Sequence, residues 1–175
     1  MGNQTKEGIR SLGRYLPIYD SAVVGDGSSL ALTGLTGQAT RLYRGSFRFF
    51  NNEAAATASY FVQFNADTTA GNYSYGFVYQ TSSTPQGVWS AAQRILGAAT
   101  SKGWCTTDFT IKVNAGMPTV FQFKSARHLG NQLVQTYNGV ILWKSTADVT
   151  NLTITSDQSL GIGATSLYTL EGLGA

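Results

Sequence analysis

Side chains that could take or give a proton, attack a carbonyl or hold a metal are scarce in this chain. There is one histidine, His128, and one cysteine, Cys105. A nucleophile needs a base within hydrogen-bond reach and a third group to orient that base. No Gly-x-Ser-x-Gly elbow occurs, and Lys124-Ser125-Ala126-Arg127-His128 reads as a polar loop after a strand. Cys105, beside Trp104, reads as a small buried hydrophobe. A lone cysteine can form neither an intrachain disulfide nor a cysteine zinc site. Asp67, Asp108, Asp148 and Asp157 could pair for glycoside hydrolysis if two faced each other. Each lies in or beside an expected turn, where Asp serves the backbone. Neither Gly25-Asp26-Gly27 nor Asn65-Ala66-Asp67 has the alternating acidic ligands of a calcium loop. The sequence therefore predicts no catalytic residue, metal or cofactor, and a protein that is not an enzyme.

The remaining chemistry is charge and aromatic surface. Net charge is +3 with a pI near 9.1, and the cations concentrate at Lys6, Arg10, Arg14 and at Arg41, Arg44, Arg48. Arg44 and Arg48 occupy alternate positions and project from one face of a strand. They read as a solvated or subunit-facing surface and not a phosphate track, so no specific nucleic acid is expected. Trp89, Trp104, Trp143 and the Tyr73–Tyr79 run could stack on sugar rings. With three Trp, nine Tyr and nine Phe in one small domain, packing is the favoured reading, because most must go inside.

These residues need a scaffold. A chain of 175 residues and 18.7 kDa suits one domain with a real core. Only 12% of residues are charged, about half the usual ~25%, and Gly, Ser, Thr and Asn fill their place. That is the vocabulary of strands and turns. The start, MGNQTKEGIRSLGRYLPIYD, lacks the apolar run of a secretory signal, and no stretch approaches the ~20 apolar residues of a membrane span. Neither secretion nor a membrane partner is expected, and the Asn-x-Ser/Thr triplets at Asn3, Asn72 and Asn151 read as turn chemistry.

Residues 1–30 read as an extended N-terminal arm and linker, with apolar anchors at Tyr15, Leu16, Ile18 and Tyr19, ahead of a β-sandwich over 31–175. Period-two alternation marks strands at 43–49, 60–64 and 73–79. The Asn65–Asn72 stretch between the last two reads as a hairpin loop. Residues 88–99 fit a short helix or a strand equally. Phe109–Val113 and Val120–Phe123 pair around Gly116-Met117-Pro118. Asn138-Gly139 reads as a hairpin turn between 133–137 and 140–143. Strands at 151–155 and 166–170 complete eight or nine, at the turn spacing of a two-sheet antiparallel sandwich. Gly161-Ile162-Gly163 precedes a strand and not a helix, which excludes a dinucleotide fold.

Over residues 40–173, the run Phe64-Asn65-Ala66-Asp67 to Gly71-Asn72-Tyr73-Ser74 is followed by a Gly/Ser/Ala-rich middle. Leu152-Thr153-Ile154 then leads into Gly161–Leu173. This order of features resembles a domain of tailed-bacteriophage structural proteins. The resemblance implies an all-β, jelly-roll-like sandwich without catalytic residues, homotrimeric, carried on a virion assembled in the bacterial cytoplasm. The first expectation is a capsid cement or decoration protein. Its arm residues Lys6, Arg10, Arg14, Tyr15, Leu16, Ile18 and Tyr19 would bind the major capsid protein or other virion proteins. The alternative is a tail- or head-fibre module recognising host glycans. A major capsid protein or a polysaccharide-degrading enzyme ranks third.

Overall fold

The computed structural model describes residues 15–23, 25–37, 42–80, 85–90, 95–114, 116–129 and 132–173. They form two antiparallel sheets with almost no helix. In spatial order the large sheet is β1 (Tyr15–Ala22), β12 (Leu167–Leu173), β3 (Leu42–Phe50), β8 (Trp104–Lys112), β9 (Thr119–Leu129), β10 (Gln132–Trp143), β5 (Tyr73–Gln80) and β6 (Pro85–Ser90). The small sheet is β2 (Ser29–Thr33), β11 (Asn151–Ser156), β4 (Ala58–Phe64) and β7 (Ile95–Ala99). The expected two-sheet sandwich is therefore present.

Alternation builds the core. In β4, Ala58, Tyr60, Val62 and Phe64 are buried while their neighbours are not. From the large sheet Tyr43, Phe47, Phe49, Phe109, Phe121 and Trp143 meet them. Phe47 stacks on Phe49 at 5.1 Å and on Phe109 at 4.7 Å, and Phe109 stacks on Phe121 at 5.0 Å. Phe49–Tyr60 (5.0 Å) and Phe64–Trp143 (5.5 Å) close the contact between the sheets. A polar strut crosses as well: the Thr107 and Ser125 hydroxyls share a hydrogen bond of 2.8 Å, and Ser125 Oγ donates to the Leu96 carbonyl at 2.6 Å. Both side chains are buried, so these bonds satisfy groups that would otherwise be costly to desolvate.

Several local expectations are corrected. Asn138-Gly139 lies inside β10, with Gly139 opposite Phe77 on one side and Phe123 on the other. A Cβ at Gly139 would stand 2.6 Å from Phe77 Cβ and 2.7 Å from the Phe123 ring, so glycine is needed there for close packing and not for a turn. Asn65–Asn72 is not a hairpin loop, because β4 and β5 belong to different sheets and the segment crosses between them. Both strands bury aromatics in the same core, which they do from opposite sides. The ambiguous 88–99 stretch supplies the end of β6 and all of β7, again in different sheets. The hairpin around Gly116 is present as β8–β9, with Lys112 opposite Val120 and Gly116 at φ 68°.

The described part of the segment read as an extended arm and linker holds strands. β1 pairs with β12 over Tyr15↔Leu173 to Ala22↔Leu167, and β2 begins at Ser29. The Tyr19 hydroxyl donates to the Thr33 carbonyl and accepts from the Thr33 amide at 3.1 Å, tying β1 to the small sheet. Lys6, Arg10 and Arg14 lie outside the described residues.

The placement of Asn138 and Gly139 gives a test. Gly139→Ala should cost about 1–3 kcal/mol by overpacking, lowering Tm by roughly 2–4 °C per kcal/mol. Asn138→Thr, on the exposed face of a strand, should stay within about 0.5 kcal/mol of the parent. Thermal unfolding of both variants decides it, since a turn at this site would be damaged by either change.

Candidate functional site

Because side chains alternate, the aromatic inner face of the large sheet fixes its outer face. Cross-strand pairing sets one continuous row there: Trp89 of β6, Gly76 of β5, Val140 of β10, Gln122 of β9, Thr110 of β8, Arg44 of β3 and Glu171 of β12. No register shift falls within this row. A parallel row carries Val78, Asn138, Lys124, Asp108, Ser46 and Thr169.

Two open depressions follow these rows. One, of about 610 Å³, lies among Arg44, Asp108, Thr110, Gln122, Thr169 and Glu171. The other, of about 390 Å³, lies among Gly76, Val78, Trp89, Gln122, Asn138 and Val140. They share Gln122 and Phe123, and so form one shallow trough across the strands.

The two ends differ in chemistry. At the β6 end Trp89 is 85% exposed, with Val78 and Val140 also exposed beside it. A Cβ added at Gly76 would lie 3.0–3.1 Å from three carbons of the Trp89 ring system, so the indole rests on bare backbone there. A flat ring with one face supported and the other in water is a stacking platform. At the other end Arg44 Nε donates to Glu171 Oε2 at 2.6 Å, and Asp108 stands opposite Lys124. Between them are amides and hydroxyls able to donate and accept.

The remaining singled-out residues serve the fold. Arg48 lies 4.5 Å over the Trp104 ring, and Trp104 packs on Phe50 at 4.9 Å. Arg44 and Arg48 thus do share the outer face, but each is engaged within its own sheet. Trp143, Tyr73 and Tyr75 are buried in the core, whereas Trp89 is not. Ile18 is partly exposed on β1, and Tyr19 is half-buried against Tyr168. Cys105 and His128 point to opposite faces of the large sheet, since Cys105 pairs with Arg127 and Trp104 with His128. Burial pushes the Cys105 thiol up to about 12, which leaves it protonated and unreactive at neutral pH. His128 Nε2 is 3.5 Å from the Thr106 hydroxyl, in β9 and not in a loop. Among the described residues no three metal-ligating side chains cluster, and no helix is long and apolar enough to cross a membrane.

Asp67 is a structural clamp. Burial acts to raise its carboxyl, but hydrogen bonds from Trp143, Asn72 and Thr69 outweigh that and hold it near 2. Trp143 Nε1 and Asn72 Nδ2 donate to Oδ2 at 2.8 and 2.9 Å, and the Thr69 amide to Oδ1 at 2.9 Å. Asp26 similarly receives the Ala164 amide and Asn52 Nδ2, which lower its pKa. These carboxylates organise loops.

No family model matches the sequence, and no curated protein matches it. Solved structures resemble the fold at low identity. An alginate lyase (PL-14) from Aplysia kurodai is 9% identical with a TM-score of 0.38, covering 81% of this chain and 72% of its own. The Ruminococcus gnavus IT-sialidase CBM40 bound to α2,3 sialyllactose is 13% identical with a TM-score of 0.33, covering 88% and 90%. The galectin LEC-6 from Caenorhabditis elegans is 8% identical with a TM-score of 0.35, covering 86% and 94%. The chain is a jelly-roll-like antiparallel β-sandwich. An architecture does not by itself assign an activity.

The Asp67 clamp predicts a specific pH dependence. Its carboxylate is favoured by folding, so its stabilisation is complete above the ordinary value of 3.8 and is lost as pH falls toward about 2. Asp67→Asn should cost about 1 kcal/mol near neutral pH, discounted for a partly exposed group. Denaturant titrations should show the gap between parent and variant closing between pH 4 and 2.

Proposed function

We propose that this chain is a non-catalytic binding module whose trough on the large sheet takes carbohydrate. In the virion setting that the sequence resemblance implies, it is a fibre or receptor-binding module recognising host surface glycans. The carrying observation is Trp89, an exposed indole laid over Gly76 at one end of a row of hydrogen-bonding side chains. Sugars present flat apolar faces ringed by hydroxyls, and a stacking ring beside convergent amides and hydroxyls matches both parts.

The decoration reading asks the arm to supply anchors to a capsid shell. Tyr19 is instead bonded to Thr33 of its own domain, and β1 is paired to β12, so that reading falls on Lys6, Arg10 and Arg14. Gold-labelled antibody on intact particles separates the two. Label at tail or fibre tips is expected here, and label spread over the head would favour decoration.

Binding itself is tested on an array of bacterial surface polysaccharides. Retention of at least one glycan is expected, and Trp89→Ala should weaken it by about tenfold or more with Tm unchanged. Retention that ignores the Trp89 change would remove the trough as the site.

A further inference from the structure

We infer that the trough takes a linear, uncharged glycan of about five rings, laid across the strands from Trp89 toward the Arg44–Glu171 pair. This rests on the carbohydrate reading above and adds length, direction and charge to it.

Direction follows from the depressions, which meet at Gln122 on β9 so that their common axis crosses the strands. Length follows from the sheet: Trp89 and Arg44 are five strand steps apart, about 24 Å at roughly 4.8 Å per step. A pyranose in an extended chain advances by about one such step. Successive rings would therefore meet successive strands, with Gln122 at the middle of the path. A single terminal sugar would use only one end.

Charge follows from how the ionic groups are spent. Arg44 is held by Glu171 at 2.6 Å, and the Asp108 carboxylate lines the same depression. An acidic glycan would meet two carboxylates and find the guanidinium already engaged. A neutral chain hydrogen-bonds to the same groups without separating the Arg44–Glu171 pair. A peptide is less suited, since strand addition needs a free edge and this row crosses the middle of the sheet.

Gly76 is a positioning residue for the Trp89 platform. Its bare Cα lets the indole lie down, and a Cβ at 76 would press on the ring itself, the atoms nearest to it.

The test uses fragments of one to six rings cut from the array-positive polysaccharide and titrated calorimetrically against the full chain. Affinity should rise about tenfold or more from two rings to five and level off beyond five. In the five-ring complex, NMR shifts should reach both the Trp89 indole N–H and the Gln122 side-chain amide. Gly76→Ala and Gly76→Val should weaken five-ring binding by about tenfold without lowering Tm. Two rings binding as tightly as five would overturn the length, and preference for uronic-acid fragments would overturn the charge. A light-scattering mass that falls to monomer in Trp89→Ala, without sugar present, would assign the trough to a second copy of the chain. An array with no binder rejects the carbohydrate reading itself. Short-fragment binding that still needs Trp89 rejects only this inference.

Discussion

The stacked phenylalanines on the inner face of the large sheet are the constraint from which the other features follow. Phe49, Phe47, Phe109 and Phe121 run across β3, β8 and β9 with centroids 4.7–5.1 Å apart. Such contacts exceed simple area burial by about 0.5–1.5 kcal/mol per pair. They also fix register, because a one-residue slip in any of these strands would expose its rings and bury its charges. β3 makes the point: a slip would turn Arg44 and Arg48 inward and Phe47 and Phe49 outward. Ring stacking on one face therefore determines which polar groups line up on the other.

The trough depends on that register being unbroken. Shifts occur between Pro17 and Tyr19 on β1 and between Leu133 and Gln135 on β10. Neither interrupts the row from Trp89 to Glu171, so residues on seven strands come together although they are scattered from 44 to 171 in sequence. The polar strut in the core, Thr107 and Ser125 with the Leu96 carbonyl, is hydrogen-bonded throughout. The outer face thus acquires a polar lining without any polar group being left unsatisfied beneath it at this strut.

Composition and alternation made the sandwich legible, and the Phe and Tyr positions of β3, β4 and β5 named much of the core. Topology was less so. Asn138-Gly139 has the local chemistry of a turn, yet Gly139 answers to Phe77 and Phe123, which are 62 and 16 residues away. Asn65–Asn72 has the right turn residues but joins two sheets, a fact that only the shared core of Tyr60 and Tyr75 decides. The site was harder still. Gln122, Thr110, Thr169 and Asn138 are unremarkable one by one, and their alignment exists only once nonlocal pairing is known. Trp89 carried the one available signal, an aromatic between Val88 and Ser90 on a strand ending in ambiguity.

The three prolines show why recognition by a face suits this fold better than growth at an edge. Pro17 lies on β1 and Pro85 begins β6, the two outer strands of the large sheet, while Pro118 sits in the β8–β9 connection. Proline removes a ladder donor, so an incoming strand finds an incomplete template at either edge. β1 is further committed by the Tyr19–Thr33 bonds to the small sheet. The middle of the large sheet has no such obstruction. Its backbone is fully paired, its inner side chains are locked in the core, and its outer side chains are held at fixed spacing. A partner that reads side chains across strands gains a rigid template whose ordering was completed when the protein folded.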